Sequence, residues 1–508
     1  NKVLELAICL RAHARLCRIC HDSPCRVDFQ ITYTLYHAET EKGSVMFELV
    51  SRELFQPKST SEQNAYQKMS DAELNQALEL IGQEARALGE KNLKLDMARG
   101  KPSPAQTALS KPMLDELNST SDLTDGSSFA DNYGDPWGLP SARAFAAELT
   151  GVPADQVIVN GSSSLNLMHD IISHTVTHGL SGQPSWAEQM AAAKAQGTTL
   201  KFLCPAPGYD RHFAITQHYG LENVAVPMTE DGPNMDVVKE LVENDSSVKG
   251  IWCVPRFANP TGITYSDEVV RAFANLKPAA PDFRIFWDNA YAIHAFVPES
   301  EAPQLLNIFD ALAEVAADDV QKNLVIAFAS TAKVTFPSSG MAWVAASPAD
   351  IKEIQSAFKV ARVSPEKISQ LAHVRFLKDA HGIEAHMQKH AELLRPRFEL
   401  VERKLQEGLG DLAVATWSHP KGGYFVSFDG PVGSARAIVS RAHELGVTMT
   451  PAGATWPSGK DPFDTNIRIA PSYPTLEELD AALDVFIVAV KQVSARLAKV
   501  DRGQSVWG

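Results

Sequence analysis

The chain has 508 residues, 44% of them hydrophobic, with a formal net charge of -14 and a pI near 5.6. That length allows two or three domains with full-sized cores, and the acidic balance argues against a nucleic-acid or anionic-membrane partner, which would need a basic face. No apolar run reaches membrane-spanning length, so small-molecule chemistry in the cytoplasm is the expectation.

In chain order, residues 1–68 read as a poorly structured N-terminal extension. The stretch opens on Asn1, is rich in Arg and holds Cys9, Cys17, Cys20 and Cys25 without sustained periodicity. Cys17-Arg18-Ile19-Cys20-His21 matches the C-x-x-C-H haem-attachment pattern, and Cys25 with His13 could make it a zinc knuckle. No export signal or second ligand pair accompanies them, so no metal is expected. A processed leader or a spurious upstream extension is the preferred reading, because Glu5, Asp22 and Asp28 count against an Arg-rich targeting segment. Only Cys204 and Cys253 lie elsewhere, which leaves no disulfide framework for the body and suits a reducing compartment.

Ser70 followed by Asp71 and Glu73 predicts a capped helix, with Leu74, Leu78, Leu80, Ile81, Ala85 and Leu88 recurring at helical spacing, running to about Gly89. It opens a segment, 69–110, that joins the chain's C-terminal part and includes the extended run closed by Arg99-Gly100-Lys101-Pro102. Residues 111–360 then alternate short β-rich runs with helical stretches. Seven strands are expected, around 157–159, 201–203, 224–226, 250–254, 284–287, 324–328 and 341–344. The fold class is therefore α/β, a large domain with a mostly parallel sheet whose strand-end loops carry the ligand. From 361 to 500 the texture changes to long helices (369–378, 386–408 and 476–497) around a strand pair, 423–428 and 466–470, giving a smaller α+β domain before a tail at 501–508. A cleft between the two would be the natural site.

The polar residues at consecutive strand ends suit one aldehyde-bearing pyridine phosphate. Lys333 follows the strand ending Ala329-Ser330; an amine desolvated against an apolar wall is biased toward its neutral, nucleophilic form and can attack an aldehyde. Asn160-Gly161-Ser162-Ser163-Ser164 could cradle a phosphate at a helix N-terminus, although a plain capping turn reads the same way. Tyr209 in Pro207-Gly208-Tyr209 could stack on a planar ring or pack in a core. The turn Asn259-Pro260-Thr261-Gly262 can point an amide at a phenolate oxygen. Asp288, ending an apolar strand, needs a cation, which a protonated pyridine nitrogen would supply; Tyr291 could donate to the same phenolate. Each motif alone also has a purely structural reading, and their joint order along the chain outweighs it.

With these motifs in place, the chain resembles a class I, fold-type I aminotransferase dependent on pyridoxal phosphate (PLP). Arg99-Gly100-Lys101-Pro102, Pro207 to Phe213 and Pro281-Asp282-Phe283-Arg284 resemble the aspartate aminotransferases called type Ic, over roughly residues 70–500. The resemblance implies that Lys333 holds the cofactor as a Schiff base and shuttles the proton, and that Asp288 keeps the ring nitrogen protonated with His212 behind it. It implies that Asn259 and Tyr291 bind the ring oxygen, Tyr209 stacks, and Ser162, Ser163, Ser164 and Ser330 hold the phosphate. Tyr133 matches the tyrosine sent across a homodimer interface to the neighbour's phosphate. Arg468 would grip the substrate α-carboxylate, with Gly100 closing over it and Asn259 alongside. One departure stands out: the arginine that family members commonly carry eight residues after the lysine is here Met341, a trait that type Ic members share.

The reaction implied is transfer of an amino group from an acidic amino acid, aspartate first, to 2-oxoglutarate. Arg99, Lys101, Arg211 and Arg256 are the candidate cations for a distal carboxylate. Rival readings are a β-decarboxylase or C–S lyase on the same fold, or an aminotransferase-like transcription regulator, for which residues 1–68 offer no helix-turn-helix pattern.

Overall fold

The computed structural model describes residues 55, 64–315 and 318–503. The C-x-x-C-H stretch, its neighbouring cysteines and the last five residues lie outside the described residues. The span read as an unstructured extension closes on a short helix, Ala65–Lys68, whose Tyr66 is buried among the C-terminal helices, so packed chain begins before residue 69.

The central sheet follows from runs of β-branched and aromatic residues that are buried on both faces, the pattern of a covered parallel sheet. Its strands are β1 (Val157–Val159), β2 (Lys201–Ala206), β3 (Glu222–Thr229), β4 (Gly232–Pro233), β5 (Val248–Cys253), β6 (Arg284–Asp288), β7 (Val325–Ser330) and β8 (Ala342–Ala346). They lie in the order β1-β8-β7-β6-β5-β2-β3-β4. Strands β7, β6, β5, β2 and β3 run parallel, while β8 is antiparallel to both β1 and β7. All seven expected strands are present; the eighth, β4, is a two-residue antiparallel edge on Met228 and Thr229, too short to leave a periodic trace. One face packs Phe202, Trp252, Phe286 and Phe328 against the helix Ser164–His178. The C-terminal ends of β1, β2, β5, β6 and β7 therefore open on one edge, each leading into one of the predicted polar motifs.

The C-terminal part forms a second core. Helices Asp71–Glu90, Ala380–Leu409 and Leu476–Asp501 enclose an antiparallel sheet of Thr416–Trp417, Val426–Asp429 and Asn466–Ile469. Ser70 is the predicted cap and forms a capping box with Glu73. Leu74, Ile81, Ala85 and Leu88 are the buried stripe, while Leu80, counted in the same apolar repeat, faces outward at 53% exposed because it lies one position off that face. The segment after that helix joins the same core, since Leu95–Asp96 pairs in parallel with Val447–Thr448. One element departs from expectation. The helix Lys367–Leu377, read as opening the smaller domain, is tied to the large sheet: Gln370 accepts from Leu139 N–H at 2.8 Å and donates to the Val159 carbonyl at 3.2 Å. Single side-chain bonds of this kind leave no pattern in a helical sequence.

The motif Pro281-Asp282-Phe283-Arg284 is structural. Arg284, fully buried, meets Asp350 through Nε at 2.7 Å and Nη2 at 2.8 Å, a bidentate pair, and donates to the Phe283 carbonyl. Asp282 accepts from Lys249 Nζ at 2.8 Å and Trp186 Nε1 at 3.0 Å. Removing one partner of such a pair strands a buried charge. Asp350→Ala should therefore lower folding stability by roughly 3–5 kcal/mol in denaturant melts.

Candidate active site

Asp288 ends β6 with its side chain 5% exposed, and one oxygen, Oδ2, lies 3.0 Å from His212 Nε2. Its other oxygen, Oδ1, is buried without a hydrogen-bond partner. A buried carboxylate oxygen left bare is costly, so this atom calls for a donor that the chain itself does not provide. His212 is pinned from behind: its ring stacks on Trp252 at 4.6 Å and 12°, and Tyr209 packs edge-on at 4.9 Å. Lys333 Nζ lies 4.9 Å from the centre of the Tyr291 ring. Burial pushes the Tyr291 phenol up, with the Asp288 charge adding to it, so the hydroxyl stays protonated. Burial likewise lifts Tyr209 to about 12, against the pull of Lys333 and with smaller pushes from Tyr291 and Asp288. These predicted residues from three separate motifs therefore share one electrostatic neighbourhood.

On the side of the second core, Arg468 lies on the strand Asn466–Ile469, 9% exposed, with its guanidinium 4.7 Å above the Phe425 ring. Its Nη1 reaches Asn259 Oδ1 and Asp210 Oδ1, each at 3.3 Å, while its Nε is buried and unpaired. Two long bonds and one idle donor leave the fork free to take a carboxylate. Gly100 is required beneath it, because a Cβ there would come within 2.1 Å of Phe425 Cζ. Phe425 thus touches both the glycine and the arginine, a contact between residues far apart in the chain that sequence reasoning missed.

Ser163 is the N-cap of the helix Ser164–His178 but makes no side-chain cap bond; of the first-turn N–H groups, that of Asn166 turns back to the Ser163 carbonyl at 3.1 Å, and the serine hydroxyl at the positive helix end suits an anion. Ser330 pairs with Ala342, whose carbonyl accepts from Asn160 N–H at 2.9 Å, which sets Ser330 beside that turn. The turn also packs tightly on the loop carrying Lys333: a Cβ on Gly340 would lie 2.7 Å from the Ser162 carbonyl and 2.9 Å from Ala332 N. Met341 is buried, and its backbone exchanges hydrogen bonds with Thr331, so the position supplies packing in place of a cation. Tyr133 does not join this cluster within the chain; its side chain is 78% exposed.

Behind Lys333 lies a buried network that sequence reasoning did not foresee. Tyr424 Oη donates to the Lys333 carbonyl at 3.3 Å and accepts from Gln106 Nε2 at 3.0 Å. Gln106 also meets His390, His390 meets His386, and His386 lies 3.0 Å from the Val334 carbonyl. His294 packs edge-on to both Tyr291 and Tyr424, and burial, reinforced by the Lys333 charge, pushes it down to about 3, so its ring stays neutral. Of the candidate cations, Arg256 is committed to Glu299 and the Ala292 carbonyl, Lys101 stacks on Tyr473, and Arg99 and Arg211 are exposed. A cleft of about 330 Å³ runs past Arg256, Asn289, His294 and Ser330 but is not lined by Lys333 or Asp288.

Among the described residues no helix is long and apolar enough to cross a membrane, and no cluster of potential metal ligands occurs. The model of the family "Aspartate amino-transferase" matches residues 69–502. The aspartate aminotransferase of Corynebacterium glutamicum is 42% identical over 401 residues, covering 78% of this chain and 89% of that protein. A crystal structure of an aspartate transaminase from the same organism superposes with a TM-score of 0.79 at 38% identity, covering 86% of this chain and all of that one. The α-aminoadipate aminotransferase LysN of Thermus thermophilus, solved with N-(5'-phosphopyridoxyl)-L-leucine, has a TM-score of 0.62 at 20% identity, over 79% of this chain and 92% of that one, and speaks to the fold alone. The chain belongs to the aspartate amino-transferase family and is a fold-type I aminotransferase.

Proposed function

We propose that this enzyme transfers the amino group of L-aspartate to 2-oxoglutarate, giving oxaloacetate and L-glutamate, with PLP as its cofactor and two copies forming a dimer. The observation that carries the cofactor reading is the bare, buried Oδ1 of Asp288, which fits the N–H of a protonated pyridine ring. The substrate reading rests on the likeness to the Corynebacterium glutamicum enzyme.

When bound, PLP supplies an electron sink for the pair left at the substrate α-carbon. Every other part of the task falls to the chain. Lys333 would hold the cofactor aldehyde through Nζ and, once displaced by the substrate amine, carry the proton between the α-carbon and the cofactor carbon. Asp288, backed by His212, holds the proton on the ring nitrogen. Tyr291 and Asn259 address the ring oxygen, with Tyr291 donating because its phenol stays protonated. Tyr209 lies against the ring face. Ser162, Ser163, Ser164 and Ser330 take the phosphate, and Tyr133 reaches the phosphate of the second copy. Arg468 receives the α-carboxylate, turning toward it from its long contacts with Asn259 and Asp210.

Purified protein incubated with aspartate and 2-oxoglutarate should yield oxaloacetate and glutamate in equal amounts; alanine formation would instead mean β-decarboxylation. Lys333→Ala should abolish the absorbance that borohydride bleaches and lower turnover on the order of 10²–10⁴-fold. Arg468→Lys gives up the bidentate fork and should lower kcat/KM for aspartate by roughly 10- to 100-fold with the cofactor spectrum unchanged. Gly100→Ala, by displacing Phe425 from beneath the same guanidinium, should act in the same direction through KM.

A further inference from the structure

We propose that Lys367 is a positioning residue that locks the loop 129–135 in the shape that offers Tyr133 to the cofactor phosphate of a second copy. The inference rests on the reading of Tyr133 given above and adds the element that makes it work.

Lysine is among the residues least often buried, yet the Lys367 side chain is 1% exposed. An ammonium carries three N–H donors, and burying it is costly unless all three are used. Here all three are directed at one short loop. Nζ lies 2.6 Å from the Phe129 carbonyl, 3.2 Å from Asp135 Oδ2 and 3.5 Å from the Tyr133 carbonyl. Asp135 supplies the countercharge and is itself held by Ser128 Oγ at 2.7 Å. Between them Gly134 has φ +113°, a backbone conformation that brings the chain around the cation. The loop is thus wrapped on a lysine much as a peptide wraps a bound metal ion.

The segment supplying the lysine also fixes the loop relative to the phosphate turn. Ser364 Oγ donates to the Gly134 carbonyl at 3.0 Å, and Glu366 Oε2 accepts from Gly161 N–H at 3.0 Å. With the Gln370 bonds to Leu139 and Val159, residues 364–370 gauge the distance from the Tyr133 loop to the turn that holds Ser162 to Ser164. The segments so joined expose Phe129, Tyr133, Val363 and Ile368, at 56%, 78%, 70% and 44%. Rigid backbone beneath exposed apolar side chains is what a surface needs when a second copy covers it. A tyrosine that must place one hydroxyl on a phosphate across such an interface gains from having its loop fixed in advance. The gain is larger where Met341 leaves the phosphate without an arginine.

Titration of Lys367→Met apoenzyme with PLP and with pyridoxal, which lacks the phosphate, tests this by cofactor absorbance. PLP affinity should fall about tenfold, the size of one lost phosphate bond, while pyridoxal affinity stays within about twofold. Tyr133→Phe should weaken PLP by a similar factor, and the double variant should be little worse than either single one. Equal weakening of PLP and pyridoxal would reduce Lys367 to a general stabiliser, and unchanged PLP affinity would overturn the inference outright. If Lys367→Met does not fold, Asp135→Asn loosens the same clamp and must show the same preference for PLP over pyridoxal in its loss. Tyr133→Phe with unaltered PLP affinity would refute the underlying reading of Tyr133; a loss in Tyr133→Phe without one in Lys367→Met would refute this inference alone.

Discussion

A carboxylate buried at the end of a strand, with one oxygen satisfied and the other bare, is the constraint around which this molecule is arranged. Asp288 is affordable in that position only if something cationic or strongly donating meets Oδ1. Its surroundings keep it ready for that partner. The neighbouring strand β5 contributes Trp252, which stacks on His212, and His212 holds Oδ2, so the carboxylate cannot turn its free oxygen away. Parallel pairing of β5, β6 and β7 is what brings Asp288 to the same edge as Lys333.

The opposite wall of the site belongs to the second core, and the two walls are joined by more than contact. Arg468 comes from the small antiparallel sheet and Phe425 from the residue just before its strand Val426–Asp429, whereas Asn259 comes from a loop after β5 and Asp210 from the first turn of the helix Asp210–His218, which follows β2. Tyr424, next to Phe425, reaches the other way and donates to the carbonyl of Lys333. The helix Ala380–Leu409 contributes His386 and His390 to the same network before entering the second core. The backbone of Lys333 and the guanidinium of Arg468 are therefore held by adjacent residues of the segment leading into the strand Val426–Asp429. A shift of that segment would be felt at both.

Much of this was legible in the sequence because the physics is local there. Strands buried on both faces announce themselves as unbroken apolar runs, and a polar residue that ends such a run, as Asp288 does, needs a reason. The capping box at Ser70 and the Gly-Ser turn at 161–164 at the start of a helix are likewise local. What stayed hidden depends on residues far apart in the chain. Nothing in Glu366-Lys367 foretells that one side chain reaches Gly161 and the other residue 129, so a helix that serves the large sheet was read as part of the smaller domain. Phe425 looked like ordinary strand packing until Gly100 was seen against it. Arg256 stood in the sequence as one of four candidate cations, and its acidic partner, Glu299, lies 43 positions away, out of reach of any local pattern.

The central claim is that Asp288 keeps a proton on the nitrogen of a bound pyridine ring. The most direct measurement is the ¹⁵N chemical shift of ring-labelled PLP bound to the enzyme, recorded across neutral and mildly alkaline pH. The account predicts the shift of a protonated pyridine throughout, moving to that of the neutral ring when Asp288 is replaced by alanine. A neutral-ring shift in the unaltered enzyme, or one indifferent to the loss of Asp288, would contradict it.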